Sequence, residues 1–217
     1  MGVSPVTLDD LSSGYNIDWN ISTDSRFNAM MGFSETEVRE MFRYYQENDA
    51  LPGDIEAMIA EMKPWYDNYC FARMSLGDDR VFNCDMTLYY LRSQFDFHRS
   101  PEEMVDKNIR TDYSKLKMLA RIDHDSAHEG SRMSTIEEIA AKGEILVNLH
   151  TSFPAERVAD VDNFRSLLYY YGLLTMCGTR GDRLRMCIPN HCVREQYFGF
   201  LREYYQQAHP VSYTHLR

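Results

Sequence analysis

No run of apolar residues in this chain approaches the roughly 20 needed to span a bilayer. The first residues also lack the basic-then-apolar order of a secretory signal. No Cys-x-x-Cys pair is present, and five cysteines, an odd number, point to reduced thiols rather than a disulfide framework. These absences predict a cytoplasmic protein without membrane contact. Positive charge is scarce as well, because 23 Lys and Arg against 33 Asp and Glu give a formal charge of -10. Such a surface repels nucleic acid and anionic lipid over most of its area, so a polyanion would need a local basic patch. Internal repeats and low-complexity tracts are missing too. What the chain has is core material: 44% hydrophobic and 13% aromatic residues over 217 positions, enough for one large or two small globular domains.

The organising stretch is Asn163 to Tyr205. Leu167, Leu168, Tyr171 and Leu174 fall at helical spacing. Met176 to Ile188 then alternates around a Gly-Thr-Arg-Gly-Asp turn, which predicts a two-stranded hairpin. Pro189-Asn190 opens a second helix with Val193, Tyr197, Phe200, Leu201 and Tyr204 on its apolar face. Earlier in the chain, Ser34 and Glu37 form a capping-box pattern ahead of Val38, Met41, Phe42 and Tyr45. Ile55, Met58, Ile59 and Met62 make the next stripe, which Lys63-Pro64 is expected to end. Trp65 to Phe71 is the densest aromatic run, with a turn expected at Asp67-Asn68.

Beyond it, Met74 to Asn83 reads as a short hairpin. A helix is expected from Cys84 or Asp85 through Met86, Leu88, Tyr89, Leu91 and Phe95. Another, capped by Thr111, would bury Leu116, Leu119 and Ile122. Asp123 to Arg132 reads as a polar loop, Thr135 to Ala141 as a short helix and Glu144 to Leu149 as a strand. The fold class expected is therefore mainly α with short β-hairpins.

Few residues suggest chemistry. His124 and His128, flanked by Asp123, Asp125 and Glu129, have the i, i+4 spacing of a metal pair, but the segment has no apolar face and reads as solvated loop. Cys177 and Cys187 can face each other across the hairpin with Cys192 nearby, yet a zinc site would lack its fourth ligand, and small buried hydrophobes are the plainer reading. No G-x-x-x-x-G-K-S/T loop, dinucleotide glycine pattern, G-x-S-x-G elbow or H-E-x-x-H is present.

Several motifs in one order carry a resemblance over residues 2 to about 208. They are G-V-S-P-V-T-L-D-D-L-S-S-G-Y-N-I, R-F-N-A-M-M-G-F-S-E-T-E-V, W-Y-D-N-Y-C-F, F-N-C-D-M-T-L-Y-Y-L, N-I-R-T-D-Y-S-K-L and N-F-R-S-L-L-Y-Y-Y-G-L-L-T. With these, the chain resembles the AAA-ATPase-like family abundant in Bacteroidetes, whose members have a P-loop core, a helical lid, a winged-helix-like part and often a PD-(D/E)XK nuclease-like domain. The resemblance implies a remnant of the nucleotide-binding core at 1–33, a helical lid at 34–125, a polar loop and connecting segment at 126–160 and a winged-helix-like unit at 161–209.

It further implies ATP and Mg2+ as cofactors of an intact parent, a P-loop core as the missing partner, and Arg26, Arg165 and Arg194 as residues placed to meet nucleotide. Gly2 to Pro5 matches the end of the core strand that carries a polar sensor, and Met1 stands where Thr is usual. Asn68 stands where Gly is more frequent, a tolerable exchange because Asn accepts left-handed backbone. Val211 to Arg217 reads like a translated sequencing adapter, so 210–217 is expected to be a non-native tail.

Two other classes compete: a nucleic-acid-binding module using Arg180, Arg183 and Arg185 on the hairpin, and a protein-interaction module. With no lysine or Mg2+-binding hydroxyl of a P-loop in the sequence, the purified chain should release no phosphate from ATP above the blank in a coupled assay. Turnover by the isolated chain would contradict this.

Overall fold

Ser34 starts the first helix by reciprocal capping. Its Oγ accepts the Glu37 amide while the Glu37 carboxylate accepts the Ser34 amide, and helix α1 runs Glu35–Glu47 from this point with Val38 and Phe42 buried. The computed structural model describes residues 5–7, 21–48, 51–78, 80–106, 113–120, 126–158 and 160–208. Within these, α2 is Ile55–Tyr66, α3 Cys84–Phe97, α4 Tyr113–Ala120, α5 Ser126–Lys142, α6 Val161–Tyr170 and α7 His191–Ala208. The strands are β1 Val6–Thr7, β2 Phe33–Ser34, β3 Val81–Phe82, β4 Glu144–Val147, β5 Phe153–Pro154, β6 Thr175–Arg180 and β7 Arg183–Cys187. The class is mixed α/β, mainly helical with small sheets, as expected.

The largest sheet has the order β4-β7-β6 and is antiparallel throughout. The hairpin was expected to have two strands; β4 adds a third by pairing Val147 with Leu184 and Ile145 with Met186. Elsewhere β1 pairs parallel with β5, and β2 antiparallel with β3.

Two apolar cores share this framework. One gathers Val38, Phe42, Ile59, Met62, Tyr66 and Tyr90 from the first three helices, with Phe82 of β3 and Cys192 of α7. The other gathers Leu116, Ile136, Leu168, Met186 and Tyr197 from the later elements, with Tyr69, Cys70 and Val81. Val81 and Phe82 are neighbours on one strand, so their side chains leave opposite faces and enter different cores. Gly32 permits this crossing, because a Cβ there would sit 2.6 Å from Val81 Cγ2 and 2.9 Å from the Phe82 carbonyl oxygen.

The aromatic run supplies the second crossing. Asp67 closes α2 with its amide on Lys63 O at 3.2 Å, and Asn68 turns the chain at φ 86°. Tyr69 and Val81 exchange backbone hydrogen bonds at 3.2 Å. Cys70 N donates to Thr175 Oγ1 at 2.7 Å, and Cys70 O accepts the Met176 amide at 3.2 Å. Asn28 Oδ1 accepts from both Phe71 N and Ala72 N. An irregular buried segment is stable only when its backbone groups find such partners.

Several sequence expectations change. Residues 126–132 are not loop but the first turns of α5; the buried Met133, Ile136 and Ile139 stripe anchors the helix, and extension from a formed helix is cheap even for polar residues. Pro64 lies inside α2, in its last turn, where burial of Tyr66 and the Asp67 amide bond hold the chain helical. Met74 to Asn83 does not fold on itself: Val81–Phe82 pairs instead with Phe33–Ser34. On α3 the buried stripe is Met86, Tyr90, Leu91 and Gln94, while Leu88 and Phe95 are exposed. Thr111, Ile122, His124 and the tail at 210–217 lie outside the described residues, as do the side chain of His128 and, of the sensor-strand match at Gly2 to Pro5, all but Pro5.

Thr175→Val keeps the side-chain shape but leaves the buried Cys70 amide unpaired. It should lower unfolding free energy by about 1–3 kcal/mol with an unchanged urea m-value. Loss of less than about 0.5 kcal/mol would show that this bond does not tie the segment down.

Candidate functional site

The arginines singled out by the resemblance occupy separate neighbourhoods. Arg26, in a single 3-10 turn at Ser25–Phe27, binds the Asp24 carboxylate through Nε at 3.0 Å and Nη2 at 2.6 Å. Arg165 lies on α6, with Nη1 3.6 Å from Asp162, while its Nε is buried without a hydrogen bond. Arg194 is exposed on the first turn of α7, its guanidinium beside Gly143 where α5 gives way to β4. Among the described residues, no hydrogen bond or ion pair joins any two of them.

The hairpin arginines divide as well. Gly181, at φ 66°, makes the turn between the paired Arg180 and Arg183, and both arginines are exposed at the tip. Arg185 is drawn back onto the sheet, donating from Nη2 to Cys177 O at 3.3 Å and lying 3.7 Å from the Glu144 carboxylate. Helix α6, which precedes the hairpin, buries Asn163, Phe164, Ser166, Leu167, Leu168 and Tyr169. It presents no broad exposed face to a groove.

A chain of charges crosses from α1 to the end of α2. Arg39 meets Glu56 at 2.6 Å and Glu35 at 2.8 Å; Lys63 meets Glu35 at 2.5 Å and approaches Asp67 at 4.0 Å. Lys63, then Arg39, holds the Glu35 carboxyl below its ordinary range, and Arg39 does the same for Glu56. Asp67 behaves oppositely. Burial pushes its carboxyl up, against the lowering effect of the Asn68 amide at 2.5 Å and of Lys63. Next to it, Asn68 Nδ2 donates to Pro189 O and Asn190 Nδ2 donates to Asp67 O, which locks the end of α2 to the start of α7.

Arg132 is a residue that sequence reasoning missed. Read as loop, it is instead 1% exposed on α5 and none of its guanidinium nitrogens is hydrogen-bonded. A buried cation in that state costs several kcal/mol, by order of magnitude. The only available signal was its spacing from Ile136, on the apolar stripe.

No described group of three His, Cys, Asp or Glu converges to hold a metal. Cys192 enters the first core while Cys177 and Cys187 stay half-buried on the sheet, so the three thiols do not gather as the sequence allowed. Ser166 Oγ donates to Asp162 O and accepts the His150 amide, so it is engaged as a helix contact and not with an imidazole. A groove of about 250 Å³ between α1 and α3, lined by Tyr45, Leu88, Leu91, Arg92 and Phe95, is mainly apolar, and its Arg92 is paired with Asp96 at 3.4 Å. No described helix is long and apolar enough to cross a membrane. The chain matches no protein-family model, no curated protein and no solved structure. Its resemblance to the AAA-ATPase-like family therefore rests on the motifs quoted above.

The raised Asp67 pKa sets a pH dependence. The cost of its ionisation appears as pH rises through the ordinary carboxylate value near 3.9 and is complete above the folded-state pKa. Asp67→Asn should raise the urea midpoint at pH 7, and the difference from wild type should shrink as pH falls towards 4. An equal difference at both pH values would contradict this.

Proposed function

We propose that this chain supplies lid and winged-helix elements to an AAA-ATPase-like protein, contributing to ATP binding and ATP-dependent regulation without hydrolysing ATP alone. The observation that carries the reading is the unit from α5 to α7. Helix, two short strands, helix, hairpin, helix follow in order, the first of the two strands closes onto the hairpin as β4-β7-β6, and the whole is clasped to a helical layer at 66–72. A helix-flanked hairpin closed by a third strand supports the winged-helix reading.

Within this reading the chain offers nucleotide a contact, not a cradle. It contains no P-loop lysine and no hydroxyl-bearing loop to hold Mg2+. Of the three arginines, Arg26 is engaged by Asp24 and Arg165 is partly enclosed on α6, while Arg194 is exposed at a helix start. Arg194 is therefore the residue best placed to meet charge developing on a γ-phosphate presented by a neighbouring core. Arg180 and Arg183 favour a second reading, nucleic-acid contact through the hairpin tip. The formal charge of -10 and the enclosed α6 weigh against it.

The test joins this chain to a P-loop core of the same family and follows ATP turnover. Arg194→Ala should lower kcat by about tenfold or more, and Arg26→Ala should leave it within about twofold. Equal turnover in wild type and Arg194→Ala would remove the assigned contact. Retention of duplex DNA that falls steeply with salt, and disappears with Arg180→Ala and Arg183→Ala, would favour the second reading.

A further inference from the structure

Cys177 and Cys187 lie on neighbouring strands of the hairpin, on the face opposite the buried Met176, Leu184 and Met186. The register pairs Met176 with Met186 and Gly178 with Arg185, leaving Cys177 as the extra residue of a bulge. A bulge re-aims its side chain, and here the Cys177 thiol reaches across to β7, donating to Arg185 O at 3.2 Å, two residues before Cys187. Both are half-buried and unoxidised, and both sit where solvent can reach the sheet.

Charged groups frame the pair. Arg185 crosses the same face with Nη2 on Cys177 O, and Glu144 faces it from β4 at 3.7 Å. Arg80 donates to Met176 O at 2.8 Å and lies near Cys187. The neighbouring Cys187 thiol, then Arg185, lowers the Cys177 thiol from its ordinary value against the opposing effect of burial. Cys187, beside Cys177 and buried more deeply, is pushed up. Burial also pushes up Cys70, Cys84 and Cys192.

We propose that Cys177 and Cys187 are an oxidative modification site, a dithiol that hydroperoxides convert into a cross-strand disulfide. The Cys177 thiolate attacks one oxygen of the hydroperoxide; the S–O bond forms, the O–O bond breaks, and the departing alkoxide or hydroxide takes a proton. Cys177 is then a sulfenic acid, and the negative charge beside the Cys187 thiol is gone. Cys187 loses its proton and its sulfur attacks Cys177; the S–S bond forms, the S–O bond breaks, and water leaves. Both thiols are oxidised together by two electrons, and one hydroperoxide is reduced to an alcohol or water. The step is independent of any ATPase role.

The experiment treats the reduced, folded chain with a slight excess of hydrogen peroxide and maps thiols after trypsin. Cleavage after Arg180 and Arg185 puts Cys177 and Cys187 on separate peptides. These should appear linked, and dithiothreitol should release them. Because Cys192 shares the Cys187 peptide, Cys192→Ser should keep the link and Cys187→Ser should lose it. In Cys187→Ser, dimedone should label Cys177, and in the wild type iodoacetamide should alkylate Cys177 at pH 7 about tenfold faster than Cys84. Persistence of the linkage in Cys187→Ser, first oxidation at Cys84, or no linkage at all would overturn the proposal.

Discussion

The segment from Tyr66 to Ala72 must pass between two cores without leaving its backbone polar groups unpaired, and most of the structure follows from how it does so. Its partners come from everywhere else in the fold. Tyr66 O accepts the Asn83 amide at the start of α3, and Asp67 O accepts from Asn190 at the start of α7. Cys70 is matched by Thr175 and Met176 of β6, and Phe71 O accepts the Tyr169 hydroxyl of α6 at 2.6 Å. Each partner is itself fixed by its own element, as Asn83 and Asn190 cap the helices they precede. The seven-residue stretch thus sets the relative position of the helical layer and the sheet-bearing half. Buried backbone bonds of this kind add little individually, but breaking one exposes an unmet donor, so the arrangement resists piecemeal loosening.

That constraint shapes what the molecule can do. Helices α1 to α3 and the unit from α5 to α7 are expected to move as one body, so a lid built this way would transmit motion through the clasp rather than hinge across it. Charge is handled in the same spirit. Glu35, Arg39, Glu56 and Lys63 neutralise one another on the surface of the helical layer, and Arg185 is paired on the sheet. Arg180, Arg183 and Arg194 keep exposed cationic heads, which is where contacts with an anionic partner would begin.

Much of the local structure was legible because its signals were local. Ser34 and Glu37 announced α1, Gly181 announced the hairpin, and Asn68 takes the left-handed backbone anticipated for it. The thiol pair was only half legible: the turn alone would set Cys177 opposite Met186, and it is the bulge at Cys177 that brings its thiol to the face of Cys187. Longer-range choices were hidden. Nothing in Val81–Phe82 marks Phe33–Ser34 as its partner over a nearer strand, and nothing in Glu144–Val147 says that it completes the hairpin sheet. The polar start of α5 and the burial of Arg132 are set by what packs around them, which propensity does not report. The candidate site was least legible of all: the resemblance nominated three arginines, and the fold leaves them apart, with one exposed at a helix start.

The central claim, that residues 66–72 bind two cores into one cooperative body, is tested most directly by amide hydrogen exchange followed by mass spectrometry across a urea series. Peptides from α1 to α3 and peptides from β6, β7 and α7 should lose protection at the same urea concentration, together with the peptide spanning 66–72. Two separate transitions, with that peptide exchanging before either core, would contradict it.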